Sequence, residues 1–176
     1  MPLPAILTIG HSVHPIQEFI AMLEAHGIRQ LVDIRTIPKS RRNPQFSQDA
    51  LAAALEQRNI RYLHLPELGG LRHPRKDSHN TAWKNASFRG YADYMQTPEF
   101  DQAVRKLIQL ASDSCTVVMC AEAVPWRCHR SLVADALAAR GVPVEHIMSR
   151  TSRKAHTCTP FARIEGDKVT YPGLLP

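Results

Sequence analysis

Short apolar runs alternate with segments of helical periodicity along most of this chain. The runs are rich in Val, Ile and Leu, which is typical of buried strands. Val117, Val118 and Met119 make the fourth run apolar throughout, as in a central strand of a parallel sheet. The predicted strands are Ala5–Ile9, Leu31–Ile34, Ile60–Leu63, Thr116–Met119 and Val142–Ile147.

The segments between these runs space their apolar residues along one face of a helix. Pro15 suits the first turn of the first helix, and Gly27 and Gly141 suit the positions just after the first and last helices. The predicted helices are residues 15–26, Ser47–Arg58, Tyr91–Met95, Pro98–Leu110 and Ser131–Arg140.

The alternation of strands and helices predicts the fold class. We expect one α/β domain over residues 1–176, with an open, mostly parallel sheet of about five strands and helices on both faces. Successive parallel strands are then joined by right-handed crossovers. Phe161–Tyr171 alternates in hydrophobicity around Glu165-Gly-Asp-Lys168, which predicts a C-terminal β-hairpin.

The segment His64–Gly90 does not fit this alternation, because it is long and rich in turn residues. An irregular stretch of this length inside a compact domain is uncommon and is usually functional. The alternative is a mobile surface excursion. Its basic residues are Arg72, Arg75, Lys76, Lys84 and Arg89.

Composition favours a globular, cytoplasmic protein that attracts anions. No apolar run approaches the roughly 18 residues of a membrane span, and residues 1–10 lack the features of a signal peptide. We therefore expect no membrane partner and four reduced cysteines. The net charge of +6 arises from sixteen arginines and six lysines against sixteen acids. Arginine matches phosphates and carboxylates in two-point contacts.

Polar residues follow three of the predicted strands. In open parallel sheets, ligands bind outside the carboxyl ends of the strands. We therefore expect these side chains to crowd one edge of the sheet, although they are far apart in sequence. They are His11 and Ser12 after the first strand, Asp33 and Arg35 at the end of the second, and Cys120 and Glu122 after the fourth.

The loop between the fourth strand and the last helix is the strongest candidate site. Free backbone N–H groups at a helix N-terminus attract anions, and Arg127 and Arg130 add full charges. A thiol placed there has a lowered pKa, which makes Cys120 and Cys128 candidates for a reactive thiol. The alternatives are apolar packing for the cysteines and solvated surface charges for the arginines.

Cysteine phosphatases and rhodaneses also place a cysteine after a strand, in a loop that holds an oxyanion. The phosphatase pattern has five residues between its cysteine and its arginine. Cys120 and Arg127 are separated by six residues. The comparison is therefore one of geometry only.

Short motifs of one recognisable set are spread over nearly the whole chain. They are Thr8-Ile-Gly-His-Ser12, Val32-Asp-Ile-Arg35, Pro38-Lys-Ser-Arg-Arg-Asn-Pro44, Pro66-Glu-Leu-Gly-Gly70, Phe88-Arg-Gly-Tyr-Ala-Asp93, Met119-Cys-Ala-Glu122 and Cys128-His-Arg130. Taken together they resemble the domain-of-unknown-function family 488. The resemblance implies an α/β fold and leaves the reaction open. The positions that match the family pattern are His11, Asp33, Arg35, Cys120, Glu122, Cys128, His129 and Arg130.

The first functional hypothesis is an enzyme for a phosphorylated or otherwise anionic small molecule, or a nucleotide. Cys120 or Cys128 is the nucleophile or redox thiol, and Glu122, Asp33 or His11 handles protons. The sequence identifies no cofactor and leaves the oligomeric state open. The residues expected to hold the anion are Ser12, Arg35, Arg41, Arg42, Arg72, Arg127, His129 and Arg130.

The second hypothesis is binding or processing of nucleic acid. The basic stretches Lys39–Arg42 and Arg72–Lys76 are candidates for phosphate contacts. Trp83, Phe88 and Tyr91 are candidates for base stacking, with packing inside the protein as the alternative.

The third hypothesis is a metal site with Cys120, Cys128 and His129 as ligands, completed by His11 or His64. The spacing of seven residues between the cysteines is not a familiar zinc pattern. Adjacent Cys128 and His129 side chains are also expected to diverge at the start of a helix.

Overall fold

The computed structural model describes residues 3–173, so residues 1–2 and 174–176 of the predicted domain lie outside the described residues. The elements follow one another with strands and helices alternating, as expected. They are β1 Ile6–Gly10, α1 Ile16–Ala25, β2 Gln30–Asp33, α2 Gln48–Glu56, β3 Arg61–His64, α3 Ala86–Tyr94, α4 Pro98–Asp113, β4 Thr116–Cys120, α5 Arg130–Ala139, β5 Val144–Ile147, β6 Arg153–Ala155, β7 Arg163–Glu165 and β8 Lys168–Thr170.

One six-stranded sheet, in the order β3-β2-β4-β1-β5-β6, organises the chain. The first five strands in that order are parallel, which confirms the predicted fold class. β6 is the additional strand, and it pairs antiparallel with β5 at the sheet edge. The predicted C-terminal hairpin is confirmed as β7 and β8, with Gly166 in the left-handed region at φ 61°.

Alternate residues of the central strands face two separate cores. Leu7 and Ile9 of β1 pack with α1 and α2, whereas Ile6 packs with α3, α4 and α5. In β4, Val117 packs with α1 and α2, whereas Cys120 packs with α3, α4 and α5. This follows from the two-residue period of a strand. Among residues 3–173, no helix combines the length and apolar character that a membrane crossing requires.

The segment between β3 and α3 is more ordered than the sequence suggested. α3 begins at Ala86 instead of Tyr91, because the Asn85 side chain caps it by accepting from the N–H groups of Ser87 and Phe88. The buried carboxylate of Asp93 accepts hydrogen bonds from this segment and fixes it against α3. The donors are the backbone N–H of Arg75 at 2.8 Å, Ser78 Oγ at 2.6 Å and Asn80 Nδ2 at 2.7 Å.

The chain after β4 crosses directly over the end of β1. His11 N–H donates to the Cys120 carbonyl and Ser12 N–H to the Ala121 carbonyl, each at 2.9 Å, so the pairing of β1 with β4 continues past both strands. A methyl group on Gly10 would overlap the carbonyl oxygen of Glu122. Glycine at position 10 is therefore a condition of the crossing.

Gly10→Ala should displace residues 121–123 and cost about 1–3 kcal/mol of unfolding free energy, because the added methyl has no room. It should also speed alkylation of Cys120 by iodoacetamide, measured by site-resolved mass spectrometry.

Gly27→Ala is the matched control, since Gly27 has φ 71° and open space around it. The control should lose about 1–2 kcal/mol through backbone strain while Cys120 keeps its wild-type reactivity. Equal Cys120 reactivity in both variants would contradict this account of Gly10.

Candidate functional site

Cys120 and Cys128 lie side by side on the face of the sheet that α5 covers. Cys120 is the last residue of β4, and Cys128 precedes α5 after a 3-10 turn at Pro125–Arg127. Both side chains are buried, with 1% and 6% of the residue exposed, and each thiol affects the ionisation of the other. Backbone N–H of Arg130 donates to the Cys128 sulfur at 3.4 Å. The strand-to-helix loop therefore brings both candidate thiols together.

The two thiols differ in their readiness to ionise. Burial opposes a Cys120 thiolate, but the hydrogen bond from Cys128 and the charge of Arg130 outweigh it and lower the pKa of Cys120. The same hydrogen bond, together with burial, raises the pKa of Cys128 well above its usual value. Of the two, Cys120 is therefore the thiol that ionises more readily.

Arg130 is the most unusual residue of this site, because only 1% of it is exposed and no carboxylate pairs with it among the described residues. Its Nη2 donates to the Ala123 carbonyl at 3.4 Å. Nε and Nη1 are buried and have no hydrogen-bond partner in residues 3–173. Burying a charge without a partner costs several kcal/mol. The Cys120 thiolate or a bound anion would compensate it.

The backbone N–H groups at the start of α5 are already used, contrary to the expectation of a free anion cradle there. Ser131 N–H donates to the Cys128 carbonyl at 3.1 Å, and Leu132 N–H donates to the His129 carbonyl at 2.9 Å. Within residues 3–173, the group at this end of α5 that keeps nitrogen atoms without a hydrogen-bond partner is therefore the Arg130 side chain.

Asp33 and Arg35 form a separate buried cluster on the opposite face of the sheet. Arg35 holds Asp33 through Nε and Nη2, at 3.0 and 2.7 Å. Tyr62 Oη also donates to Asp33, at 2.5 Å, and burial and this hydrogen bond raise the pKa of Tyr62. The charge of Arg35 is therefore balanced by an internal carboxylate.

His11 belongs to the same cluster as Asp33. Its ring stacks on Phe46 with centroids 4.3 Å apart, and Nε2 lies 3.4 Å from Nη1 of Arg35. Nδ1 lies 2.8 Å from the Ser12 carbonyl oxygen. Burial lowers the pKa of His11 to about 4, so its imidazole is neutral at pH 7.

The rule that ligands bind at the carboxyl ends of parallel strands predicted that His11, Asp33 and Cys120 would lie together. In the structure, His11 and Asp33 lie on one face of the sheet and Cys120 lies on the other. Residue parity explains the division. Asp33 follows Leu31, which packs with α1 and α2, whereas Cys120 follows Val118, which packs with α3, α4 and α5. His11 and Asp33 therefore do not meet the thiol pair.

The other residues proposed from the sequence lie around these two clusters. Ser12 is half-buried and has a left-handed backbone at φ 48°. Arg72 lies over the ring of Tyr94, with Cζ 3.7 Å from the centroid. His129 is tilted against Tyr91 with centroids 4.9 Å apart, and burial lowers its pKa to about 4. The exposed candidates are Arg41, Arg42, Glu122 and Arg127.

A buried hydrogen-bonded chain beneath α5 was missed by the sequence reasoning. His156 Nε2 contacts Asp135 Oδ1 at 2.8 Å, and His156 Nδ1 contacts His146 Nε2 at 2.9 Å. His146 Nδ1 contacts Thr8 Oγ1 at 2.5 Å. Asp135 also accepts from Thr159 and from Tyr171 Oη, the latter at 2.7 Å. The only sequence signal was His146 itself, a polar residue within a buried strand.

The possible metal ligands that lie close together in the structure are not the Cys120, Cys128 and His129 proposed from the sequence. Within residues 3–173, the one group of three that lies within 4.8 Å is Asp135, His156 and Cys158. Its His156 and Asp135 atoms are hydrogen-bonded to each other. In the proposed set, the Cys128 sulfur lies 3.6 Å from Nδ1 of its neighbour His129, so these two side chains do not diverge.

The aromatic residues proposed for base stacking pack within the protein. Tyr91 is buried, and its hydroxyl donates to the Leu68 carbonyl at 2.7 Å. Trp83 and Phe88 stack on each other with centroids 4.9 Å apart. This agrees with the packing alternative.

The comparisons with known proteins identify a family. A sequence model of the family described as "Domain of unknown function DUF488" matches residues 15–137, which is more than half of the chain. The matched range includes Cys120, Cys128 and Arg130. No curated protein and no solved structure matches the chain.

Asp33→Asn should cost about 3–5 kcal/mol of unfolding free energy in urea titrations, because it leaves the buried Arg35 charge without its partner. Asp77→Asn is the control, since Asp77 pairs with Arg75 on the exposed surface. The control should leave the unfolding free energy almost unchanged. A loss for Asp33→Asn no larger than that of the control would refute the role given to this pair.

The protein should lose stability as the pH falls from 6.5 to 5. Burial lowers the pKa of His146 to about 3, and those of His11 and His129 to about 4, against 6.5 when unfolded. In this window the unfolded chain binds protons that the folded chain excludes. Each histidine then lowers the unfolding free energy by up to about 1.4 kcal/mol for each pH unit of acidification.

His146→Gln should make this pH dependence shallower by about one histidine's share, measured by urea unfolding at several pH values. His73→Gln replaces an exposed histidine and should keep the wild-type slope. A wild-type unfolding free energy that is constant from pH 6.5 to 5 would show that these histidines are protonated in the folded protein.

Proposed function

The chain belongs to the DUF488 family, and we propose that it is an enzyme that binds an anionic small molecule at Arg130 and attacks it with the Cys120 thiolate. The substrate class that suits these groups is a phosphorylated or similarly anionic compound. Arg130 supports the binding role, and the pairing of Cys120 with Cys128 supports the chemical role.

The observation on which this proposal rests is the buried guanidinium of Arg130 with two unpaired N–H groups. Buried charges in proteins are normally paired, and leaving one unpaired is costly. A phosphate or carboxylate would supply both the charge and the acceptors, in the two-point geometry that arginine favours. The site is internal, which suits a small ligand better than a nucleic-acid strand. Exposed Arg41 and Arg42 have no comparable requirement for a ligand.

Cys120 is the better nucleophile of the two thiols, because its pKa is lowered although burial opposes ionisation. With a phosphate ester, the sulfur would bond to phosphorus while the bond from phosphorus to the ester oxygen breaks. The departing oxygen would take the proton of the Cys128 thiol. Water would then give its hydroxyl group to phosphorus and its proton to Cys128, releasing phosphate and restoring both sulfurs.

Entry of a substrate requires a movement of the segment that covers Cys120. Residues 121–123 are exposed and lie over Gly10, and they shield the sulfur from solvent. Hydrogen bonds from His11 and Ser12 hold the start of this segment. Opening is therefore expected beyond Ala121, on the side of Pro125–Arg127.

Arg130→Met should abolish binding of inorganic phosphate while leaving the unfolding free energy equal to or higher than that of the wild type. Methionine fills a similar volume without an unpaired charge, and such replacements are often neutral or stabilising. Isothermal titration with phosphate measures the binding, and urea unfolding measures the stability.

Arg127→Met is the control, because Arg127 is exposed and close to Arg130 in sequence. The control should bind phosphate as the wild type does. If Arg130→Met still binds phosphate, or is destabilised by several kcal/mol, the charge has a structural role and the proposal fails.

Cys120→Ser should lower turnover by about a thousandfold or more on a panel of phosphate, sulfate and carboxylate esters, since it removes the nucleophile. Cys128→Ser should keep part of the activity, because a hydroxyl group can still donate a proton. Cys115→Ser replaces an exposed cysteine and should leave turnover unchanged. Full activity in Cys120→Ser would rule out the thiol mechanism.

A further inference from the structure

A cavity of about 330 Å³ opens beside the start of α5, and its walls are mainly aromatic and apolar. Trp83, Trp126 and Phe161 provide three rings, and Pro125 and Pro160 extend the apolar surface. Trp126 and Phe161 are 59% and 41% exposed, so the cavity communicates with solvent. The volume falls in the range of sites for small organic ligands.

The Trp83 side of the aromatic wall is held in place before any ligand arrives. Trp83 is held between Phe88, at a centroid distance of 4.9 Å, and Phe161, which meets it edge-on at 4.8 Å. The indole N–H of Trp83 is buried and has no acceptor among the described residues. Buried donors are normally satisfied. A ligand with an acceptor atom would satisfy this one.

The polar part of the wall is satisfied internally. Both ring nitrogens of His146 and both of His156 are engaged in the hydrogen-bonded chain from Thr8 to Asp135. These histidines therefore contribute a rigid surface to the cavity and not free donors. Trp83 Nε1, together with Nε and Nη1 of Arg130, is among the buried nitrogen atoms that have no partner in the described residues.

Arg130 adjoins the cavity through its neighbours along the chain. Ser131 lines the cavity, and His146 lines it on the same face of the sheet as Cys120. Nη2 of Arg130 donates to the carbonyl of Ala123 at 3.4 Å, two residues before Pro125, which also lines the cavity. A second cation, Lys154, lies at the cavity with Nζ 5.7 Å from the centroid of Trp126. Both charges favour an anionic occupant.

We infer that this cavity binds the planar aromatic part of a ligand whose anionic group reaches Arg130. The inference rests on the proposed function and specifies its substrate class as an aromatic phosphate or carboxylate. The ring packs between Trp126 and Phe161, and an acceptor atom of the ligand takes the Trp83 N–H. Aromatic stacking then adds to the anion contact.

Three probes separate the ring from the charge: phenyl phosphate, methyl phosphate, which lacks the ring, and phenol, which lacks the charge. Phenyl phosphate should bind the wild-type protein about tenfold or more tightly than methyl phosphate. Trp83 and Trp126 are the two tryptophans of the chain. Phenyl phosphate should therefore change the intrinsic tryptophan fluorescence, and methyl phosphate should not.

Phe161→Ala and Trp126→Ala should each reduce the preference for phenyl phosphate to about threefold or less while binding of methyl phosphate is retained. Two variants are used so that one misfolded protein does not decide the result. Leu71→Ala changes an exposed apolar residue outside the cavity and should keep the full preference.

Equal binding of the two phosphates by the wild type would overturn the inference. The proposed anion site would still stand in that case if Arg130→Met abolishes binding of both phosphates. Failure of both phosphates to bind would remove the proposed function as well. Tight binding of phenol alone would overturn the inference by showing a purely apolar cavity.

Discussion

Residues 121–123 cross so closely over the end of β1 that no side chain fits at position 10, and this crossing holds the candidate site in shape. It extends the pairing of β1 with β4 by two hydrogen bonds from His11 and Ser12. It also directs the chain back over Cys120, so that Cys128 returns to the same sulfur. The absence of a side chain at Gly10 makes this route available. The thiol pair and Arg130 therefore depend on backbone geometry at a neighbouring strand.

Arg35 and Arg130 show two ways in which this protein buries a guanidinium at the same edge of one sheet. Arg35 is matched by Asp33, and Tyr62 adds a further hydrogen bond to that carboxylate. The guanidinium of Arg130 donates to one carbonyl oxygen, that of Ala123, and two of its nitrogen atoms are left without a partner within the described chain. The first arrangement is complete without a ligand and suits a structural role. The second leaves buried nitrogen atoms without partners, and the proposed function rests on this difference.

The sequence predicted the elements whose signals are local. The apolar runs marked the five parallel strands to within one or two residues, and the polar residues that follow three of them lie at the carboxyl edge of the sheet. β6 was missed because it is three exposed residues at an edge, without an apolar pattern. The division of His11 and Asp33 from Cys120 was present in the residue parity of the strands. The link between His146 and Thr8 was not readable, because it depends on β5 pairing with β1 over more than 130 residues of chain.

The hydrogen bonds of Tyr171 have a consequence for the order in which the protein is completed during synthesis. Tyr171 contacts Asp135 through its hydroxyl group and Asn80 through its backbone N–H, and Phe161 forms one wall of the cavity. A ribosome makes these residues well after the sheet strands β1 to β4. A nascent chain that ends near β5 therefore has a sheet and a thiol pair but an open side at Asp135 and Trp83. The cavity lined by Phe161 can therefore close only late in synthesis, so chaperones would meet this protein with its thiols assembled and its cavity incomplete.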